Sequence, residues 1–150
     1  MIIFHGGTDI IKKPLILHTY TGRDFGTRFY TTDIREQAVK WAVRQARYRK
    51  KKDAILNAYM FEESSFRFLN IKTFDGYTME WLDFVIACRK NMNFNHKYDL
   101  VIGKIANDDV GETVQAVVDG LTSKDFALSL HRTILRFFYD YQAVFPILSL

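Results

Sequence analysis

Two short segments carry side chains that could hold a small flat ligand. The first is His5-Gly6, at the end of the apolar run Met1-Ile2-Ile3-Phe4. An imidazole there offers a ring nitrogen at a sheet edge. Glycine, lacking a Cβ, lets another backbone or a ligand come close. The plain alternative is a half-buried histidine ahead of an ordinary turn. The second segment is Asp24-Phe25-Gly26-Thr27-Arg28-Phe29-Tyr30-Thr31-Thr32, followed by Gln37-Ala38-Val39-Lys40-Trp41-Ala42. An aromatic ring fixed at a strand end can stack on a heterocycle, worth about 1 kcal/mol beyond burial. Phe25, Phe29 and Trp41 read as core, whereas Tyr30 is open to either role.

The remaining reactive residue types give weaker signals. Asp108-Asp109 follow an apolar strand and either bring charge to a cleft or cap the next helix, where anions suit the positive dipole end. Glu80 sits in the first turn after Thr78 and reads as structural; Glu112 reads as solvated. His96, among Asn93, Asn95 and Lys97, reads as loop surface. His18 and His131 lack partners at metal-ligand spacing, so no metal site is expected. Cys88, the one cysteine, rules out an intrachain disulfide and a zinc finger and reads as an inert core thiol. The chain has no Gly-x-Ser-x-Gly, no phosphate-loop motif and no Gly-x-Gly-x-x-Gly.

Elements must position these groups. Residues 1–5 read as a strand running into a Gly6-Gly7 turn, and residues 8–28 as loop. Phe29-Tyr30-Thr31 is short and β-prone. Thr32 or Asp33 can cap a helix whose apolar positions are Val39, Ala42, Val43 and Ala46. Residues 54–61 and 66–71 read as a hairpin joined by Glu62-Glu63-Ser64-Ser65. Thr78 caps a helix over 79–89 with Trp81, Leu82, Val85 and Cys88 on one face. Residues 99–105 read as a central strand, 109–118 and 124–135 as helices split at Asp119-Gly120, and 141–147 as a final strand. Strands with helices inserted between them give an α+β class in one domain over residues 1–150.

Composition bounds the rest. With 48% hydrophobic and 25% charged residues, the 150-residue chain is an ordinary globular sequence with enough length for a core of its own. No apolar run reaches the roughly 18 residues of a membrane span, and the start lacks a basic, then apolar, leader; no membrane partner and a cytoplasmic location are the expectations. Net charge is +4, but residues 35–52 hold eight Lys or Arg against Glu36 alone, which is +7 and leaves −3 for the remainder. Lys40, Arg44 and Arg47 share one helical face. Such a stripe could contact phosphates in a salt-dependent way, dock an acidic protein, or be a solvated face.

The order and spacing of His-Gly, then Phe-Gly-x-x-Phe-Tyr-x-Thr-x-x-x-x-Gln-Ala-x-x-Trp-Ala, resemble ADP-ribosyltransferases of the diphtheria-toxin and poly-ADP-ribose-polymerase branch. More closely, the chain is similar to a bacterial family of uncharacterised domains of that fold. Further matches are Tyr77 with Glu80-Trp81-Leu82-Asp83-Phe84-Val85, Tyr98-Asp99-Leu100-Val101-Ile102-Gly103, Ala106-Asn107-Asp108-Asp109, Asp119-Gly120-Leu121 and Tyr141-Gln142-Ala143-Val144-Phe145. The resemblance spans nearly the whole chain. It implies an NAD cleft between two small sheets with flanking helices. His5 would bond the adenosine ribose, Gly6 the nicotinamide amide through its backbone, and Tyr30 would stack on the nicotinamide ring. Thr32 and Gln37 would line the same motif.

The implied reaction is dissociative. Nicotinamide leaves, the ribose gains oxocarbenium character, and a carboxylate stabilises it. Here the sequence departs from the pattern. The third catalytic position, normally glutamate, is Gln142, which can orient a ribose hydroxyl but carries no charge. Arg28 stands where glycine is common and would meet the NAD pyrophosphate or point to solvent. Past the last strand this chain has Phe145-Pro146-Ile147, where the related family tends to continue with a polar His-Thr-type tail. The resemblance thus implies NAD as co-substrate, a protein or nucleic-acid acceptor, and a toxin-like role beside a small neutralising protein. The rival reading is a non-catalytic module of the same fold that holds nucleic acid or an acidic protein on helix 35–52.

Overall fold

A computed structural model describes residues 1–15, 23–91, 94, 96–106, 108–134 and 142–144. Among these, the order is β1 (Ile2–Gly7), α1 (Arg35–Tyr48), β2 (Ile55–Met60), a 3-10 helix (Glu63–Phe68), β3 (Ile71–Thr73), α2 (Met79–Lys90), β4 (Leu100–Gly103), α3 (Asp108–Val118), α4 (Lys124–Ile134) and β5 (Gln142–Val144). The strands form two small sheets. β1 pairs antiparallel with β2, placing His5 opposite Asn57. In the other sheet β4 lies between β3, parallel to it, and β5, antiparallel to it. The fold is mixed α and β, and β4 is the central strand expected of an apolar Leu-Val-Ile segment.

Two apolar clusters hold it together. The larger packs Phe25, Phe74, Trp81, Leu82, Val85, Val101, Val110, Val114 and Ala127 between the β4 sheet and the helices α2, α3 and α4. Trp81 is fully buried, and its indole N–H is satisfied by the Lys104 carbonyl at 2.7 Å, as a buried tryptophan requires. The smaller joins the two sheets: Ile3 of β1 and Leu100 of β4 share it with Tyr59, Phe61, Phe66 and Ile71. Helix α2 starts as its sequence dictates, with Thr78 accepting the Trp81 N–H at 3.1 Å. Glu80 pairs with Lys72, in keeping with a structural role.

Four expectations are corrected. Gly6 and Gly7 are not a turn; they continue β1 and pair with Leu56 and Ile55. A Cβ on Gly6 would sit 2.0 Å from the Ala38 carbonyl oxygen and 2.8 Å from the Ala42 nitrogen, so this glycine exists to let α1 rest on the strand. The buried stripe of α1 is accordingly Ala38, Ala42 and Ala46; Val43 is exposed. Small side chains win that face because only they allow backbone-to-backbone approach. Residues 54–61 and 66–71 form no hairpin. The Glu62–Ser65 turn continues as the 3-10 helix, which brings Phe66 against Phe61 at 5.2 Å, and Ile71–Thr73 joins β4 instead of β2. Finally, neither Thr32 nor Asp33 caps α1. Ile34 holds that position without a side-chain cap, while an antiparallel bridge to Phe4 ties Thr32 to β1. Phe29, Tyr30 and Thr31 form an arm that meets β1 through this bridge, through the His5–Tyr30 hydrogen bond and through the stacking of His5 on Phe29. The expected final strand is seen at 142–144; residues 141 and 145–147 lie outside the described part.

Candidate functional site

The Phe4–Thr32 bridge decides where the chemistry sits. Phe4 N–H donates to the Thr32 carbonyl at 2.7 Å and Thr32 N–H to the Phe4 carbonyl at 2.9 Å. Antiparallel pairing at that point sets the next residue of β1, His5, beside the residues just before Thr32. His5 Nδ1 lies 2.7 Å from the Tyr30 carbonyl oxygen. A carbonyl only accepts, so Nδ1 carries the hydrogen and Nε2 presents a lone pair. The imidazole also stacks on Phe29, with centroids 4.3 Å apart and planes 26° from parallel. Burial lowers the His5 pKa, so the ring is neutral at physiological pH.

Tyr30 is fixed differently. Its hydroxyl donates to the Gly26 carbonyl at 2.9 Å and accepts the Phe25 N–H at 3.1 Å. Burial raises its pKa, so it stays protonated. The phenol oxygen is therefore committed to the loop, and what Tyr30 can offer a ligand is its ring. Arg23 sits 5.2 Å from that ring's centroid.

His5, Gly6, Arg28, Tyr30 and Thr32 line one cavity of about 580 Å³, a size typical of small-molecule and cofactor sites. Its other walls are the segment after β1 (Thr8, Asp9, Ile11, Lys13, Leu15), Asp24, Trp41 and Gln45 of α1, and Arg49 just past the end of that helix. Arg89 of α2, with Ile105 and Ala106 beyond β4, completes it. Five cations (Lys13, Arg23, Arg28, Arg49 and Arg89) face two carboxylates (Asp9 and Asp24) across the lining, so the cavity favours an anion. Arg28 does not simply project into solvent. It donates to the Thr27 carbonyl at 2.8 Å and the His96 carbonyl at 3.2 Å, which holds its guanidinium in the wall.

The structure separates the remaining candidates. Gln37 is not in the lining; it stands behind Thr32, whose Oγ1 donates to Gln37 Oε1 at 2.6 Å and accepts the Ile34 N–H at 3.1 Å. Gln142 opens β5 opposite Gly103, two residues before Ile105 of the cavity wall. Trp41 is corrected from core to surface: it is 42% exposed at the cavity's α1 wall, whereas Phe25 and Phe29 are buried as expected. His96 is also corrected, from loop surface to a buried residue. Its Nε2 donates to the Phe25 carbonyl at 3.1 Å, and burial lowers its pKa. Cys88 is buried, its thiol pushed up to about 12 by desolvation, which makes it unreactive. Glu112 and Asp109 are exposed. Among the described residues no cluster of three His, Cys, Asp or Glu could hold a metal ion; His18 and the His131 side chain lie outside that part.

Three side chains of the site were not picked out from sequence. Asp24 is buried, ion-paired with Arg89, and accepts the Ala106 N–H at 2.6 Å, tying the loop to α2 and to the end of β4. Asn57 is buried across from His5; its Oδ1 accepts the Ile11 N–H at 2.8 Å and its Nδ2 donates to the Asp9 carbonyl at 3.1 Å, pinning the segment that walls the cavity. Only Asp24 gave a signal, as an acid directly ahead of Phe-Gly; Arg89 and Asn57 gave none.

A family model described as "Protein of unknown function (DUF3990)" matches residues 1–142. The chain belongs to that family. No curated protein and no solved structure matches it. The DUF3990 match runs from before His5 to Gln142, so it takes in every candidate residue of the site. In this DUF3990 chain no helix among the described residues is long and apolar enough to cross a membrane.

Proposed function

We propose that this DUF3990 chain has an ADP-ribosyltransferase-like fold, binds NAD in the cavity between β1 and the arm 23–32, and transfers its ADP-ribose to a macromolecular acceptor. The observation that carries the reading is the His5–Tyr30 pairing. Two residues 25 apart in sequence are joined by one hydrogen bond, from His5 Nδ1 to the Tyr30 backbone carbonyl, and both line one cavity. The cavity suits the ligand on three counts. Its size is that of a cofactor site, its cations match a pyrophosphate, and His5 Nε2 is a neutral acceptor for a ribose hydroxyl. Arg28, held in the wall, is the proposed pyrophosphate contact; Tyr30 supplies a ring face; Thr32, braced by Gln37, lines the floor beside β1. Gly6 is proposed to touch the nicotinamide amide through its backbone.

In the proposed reaction the bond between ribose C1′ and the nicotinamide nitrogen breaks, and its electron pair leaves with nicotinamide. The acceptor's nucleophilic atom bonds to C1′ and gives its proton to solvent. Gln142 is proposed to orient the ribose at the third position. A toxin-like role beside a small neutralising protein, in the cytoplasm, rests on the resemblance alone. The test is incubation with labelled NAD, alone and with cell extract as acceptor. Nicotinamide release, a thermal shift with NAD, and their loss in Tyr30→Ala are expected; absence of release, transfer and shift together rejects the reading.

A further inference from the structure

The outer surface of α1 has no part in the cavity's proposed chemistry, yet it is the most strongly charged element of the chain. All eight basic residues of 35–52 are exposed. So are two aromatic side chains on the same helix, Trp41 at 42% and Tyr48 at 85%. A helix turns 100° per residue, which arranges α1 in columns around its axis. Ala38, Ala42 and Ala46 face β1. Beside them Gln45 faces the cavity. Trp41 and Tyr48, seven residues and two turns apart, form the next column. Lys40, Arg44 and Arg47 form the column after that, on the far side from β1. The aromatic column therefore runs between the cavity wall and the cationic stripe, and the Arg44 guanidinium lies 5.7 Å from the Trp41 ring centroid.

We infer that this face binds single-stranded nucleic acid. The cations alone would suit any polyanion. The two exposed rings decide between partners. Base faces stack on aromatic side chains in a sequence-tolerant way, and an acidic peptide gains nothing comparable from them. A duplex keeps its base faces stacked on one another, so only an unpaired strand can use the rings. The strand's phosphates lie along Lys40, Arg44 and Arg47 and extend onto the Lys50-Lys51-Lys52 run; its bases lie on Trp41 and Tyr48. The rest of the chain carries a net −3, so the excess positive charge that attracts a polyanion is concentrated on residues 35–52. The inference does not rest on the proposed NAD reaction, although Trp41 borders both the cavity and this face.

The experiment is fluorescence anisotropy with labelled mixed-sequence single-stranded DNA and RNA of about 20 nucleotides, each as a single strand and as a duplex, over a salt series. Polyglutamate serves as the acidic-polypeptide competitor. Three to six phosphate contacts give a slope of log affinity against log salt between about −2 and −4. Lys40→Gln/Arg44→Gln/Arg47→Gln should flatten that slope by about 2. Trp41→Ala/Tyr48→Ala should weaken single-strand binding roughly tenfold or more while leaving the slope in place. All five side chains are exposed, and circular dichroism checks that each variant is folded. No single-strand binding at low salt, equal or tighter binding of the duplex, displacement by polyglutamate at equal charge, or wild-type affinity in the aromatic variant each overturns the proposal.

Discussion

Gly6 and Gly7 are adjacent, both in β1, and predicted to behave oppositely when replaced by alanine. At Gly6 the added methyl would meet the Ala38 carbonyl oxygen at 2.0 Å and the Ala42 nitrogen at 2.8 Å. Both are helix backbone, which cannot swing aside as a side chain can. Ordinary contact requires α1 to retreat from β1 by more than about 1 Å along its packed length. Overpacking of this kind costs about 1–3 kcal/mol and sometimes more; with rigid backbone as the obstacle, Gly6→Ala should cost about 3 kcal/mol or above. For a domain of this length that is a fall in Tm of about 6–12 °C. At Gly7 the nearest atom is His5 Nε2 at 3.3 Å, the tip of a side chain. Gly7→Ala should change stability by less than about 1 kcal/mol. It crowds the very nitrogen proposed to accept a ribose hydroxyl, so NAD affinity should drop about tenfold in a protein that still melts normally. Thermal denaturation followed by calorimetry, with NAD titrated into each variant, reads both. A Gly6→Ala protein melting within about 2 °C of wild type refutes the seating of α1 on β1, and the cavity geometry falls with it.

Other outcomes follow from the same contacts. His5 and His96 are both held below their ordinary pKa of 6.5 by burial. The unfolded chain therefore takes up protons below that pH that the folded chain refuses. Stability is full above about pH 6.5 and declines below it by up to about 1.4 kcal/mol per pH unit for each histidine; urea titrations from neutral pH to about pH 5 check this, and a flat profile contradicts it. Asp24→Ala leaves the Arg89 guanidinium buried without its carboxylate and should cost about 3–5 kcal/mol in urea unfolding; a loss under about 1 kcal/mol would mean that the pair is solvated. Gln142→Glu should raise nicotinamide release by about tenfold or more, because a carboxylate there adds electrostatic stabilisation that glutamine lacks; an unchanged or lower rate removes residue 142 from the third catalytic position.

How far the sequence could be read depended on whether a signal was local. Helix α2 was legible because Thr78 caps it through a contact three residues away and Trp81, Leu82, Val85 and Cys88 repeat with the helical period. β4 was legible because a short wholly apolar run has few other places to go. The false hairpin arose because Phe66, Phe68, Leu69 and Ile71 make a short apolar, β-prone segment; the packing of Phe66 and Ile71 is set by Ile3 and Leu100, far away in the chain. Trp41 was misjudged for the same reason. On α1 large apolar side chains look like core, but Gly6 brings the helix so close to β1 that only alanines fit beneath it, and the tryptophan is left outside. In the site, His5 and Tyr30 could be named from their motifs, whereas Asn57 and Arg89 act through contacts 46 and 65 residues away and carry no local mark.

The titratable groups around the cavity also bear on which chemistry it can perform. Tyr30 has its hydroxyl bonded in both directions and its pKa raised. Asp24 is engaged by Arg89 and by the Ala106 N–H. Cys88 is a buried thiol. His5 is neutral and keeps one nitrogen as an acceptor, so it cannot donate a proton to a leaving group. None of these four groups is free to protonate a leaving oxygen, as glycoside hydrolysis requires; the Asp9 carboxylate also lines the cavity. Cleavage of a pyridinium N-glycoside is different. The positive charge already resides on the leaving ring, which departs neutral without being protonated. Binding the anionic half of the molecule, holding the ribose and excluding water are then the main tasks, and those are tasks that fixed cations, a neutral imidazole and an aromatic face can perform. In the proposed reaction the leaving group therefore asks no proton of Tyr30, Asp24, Cys88 or His5.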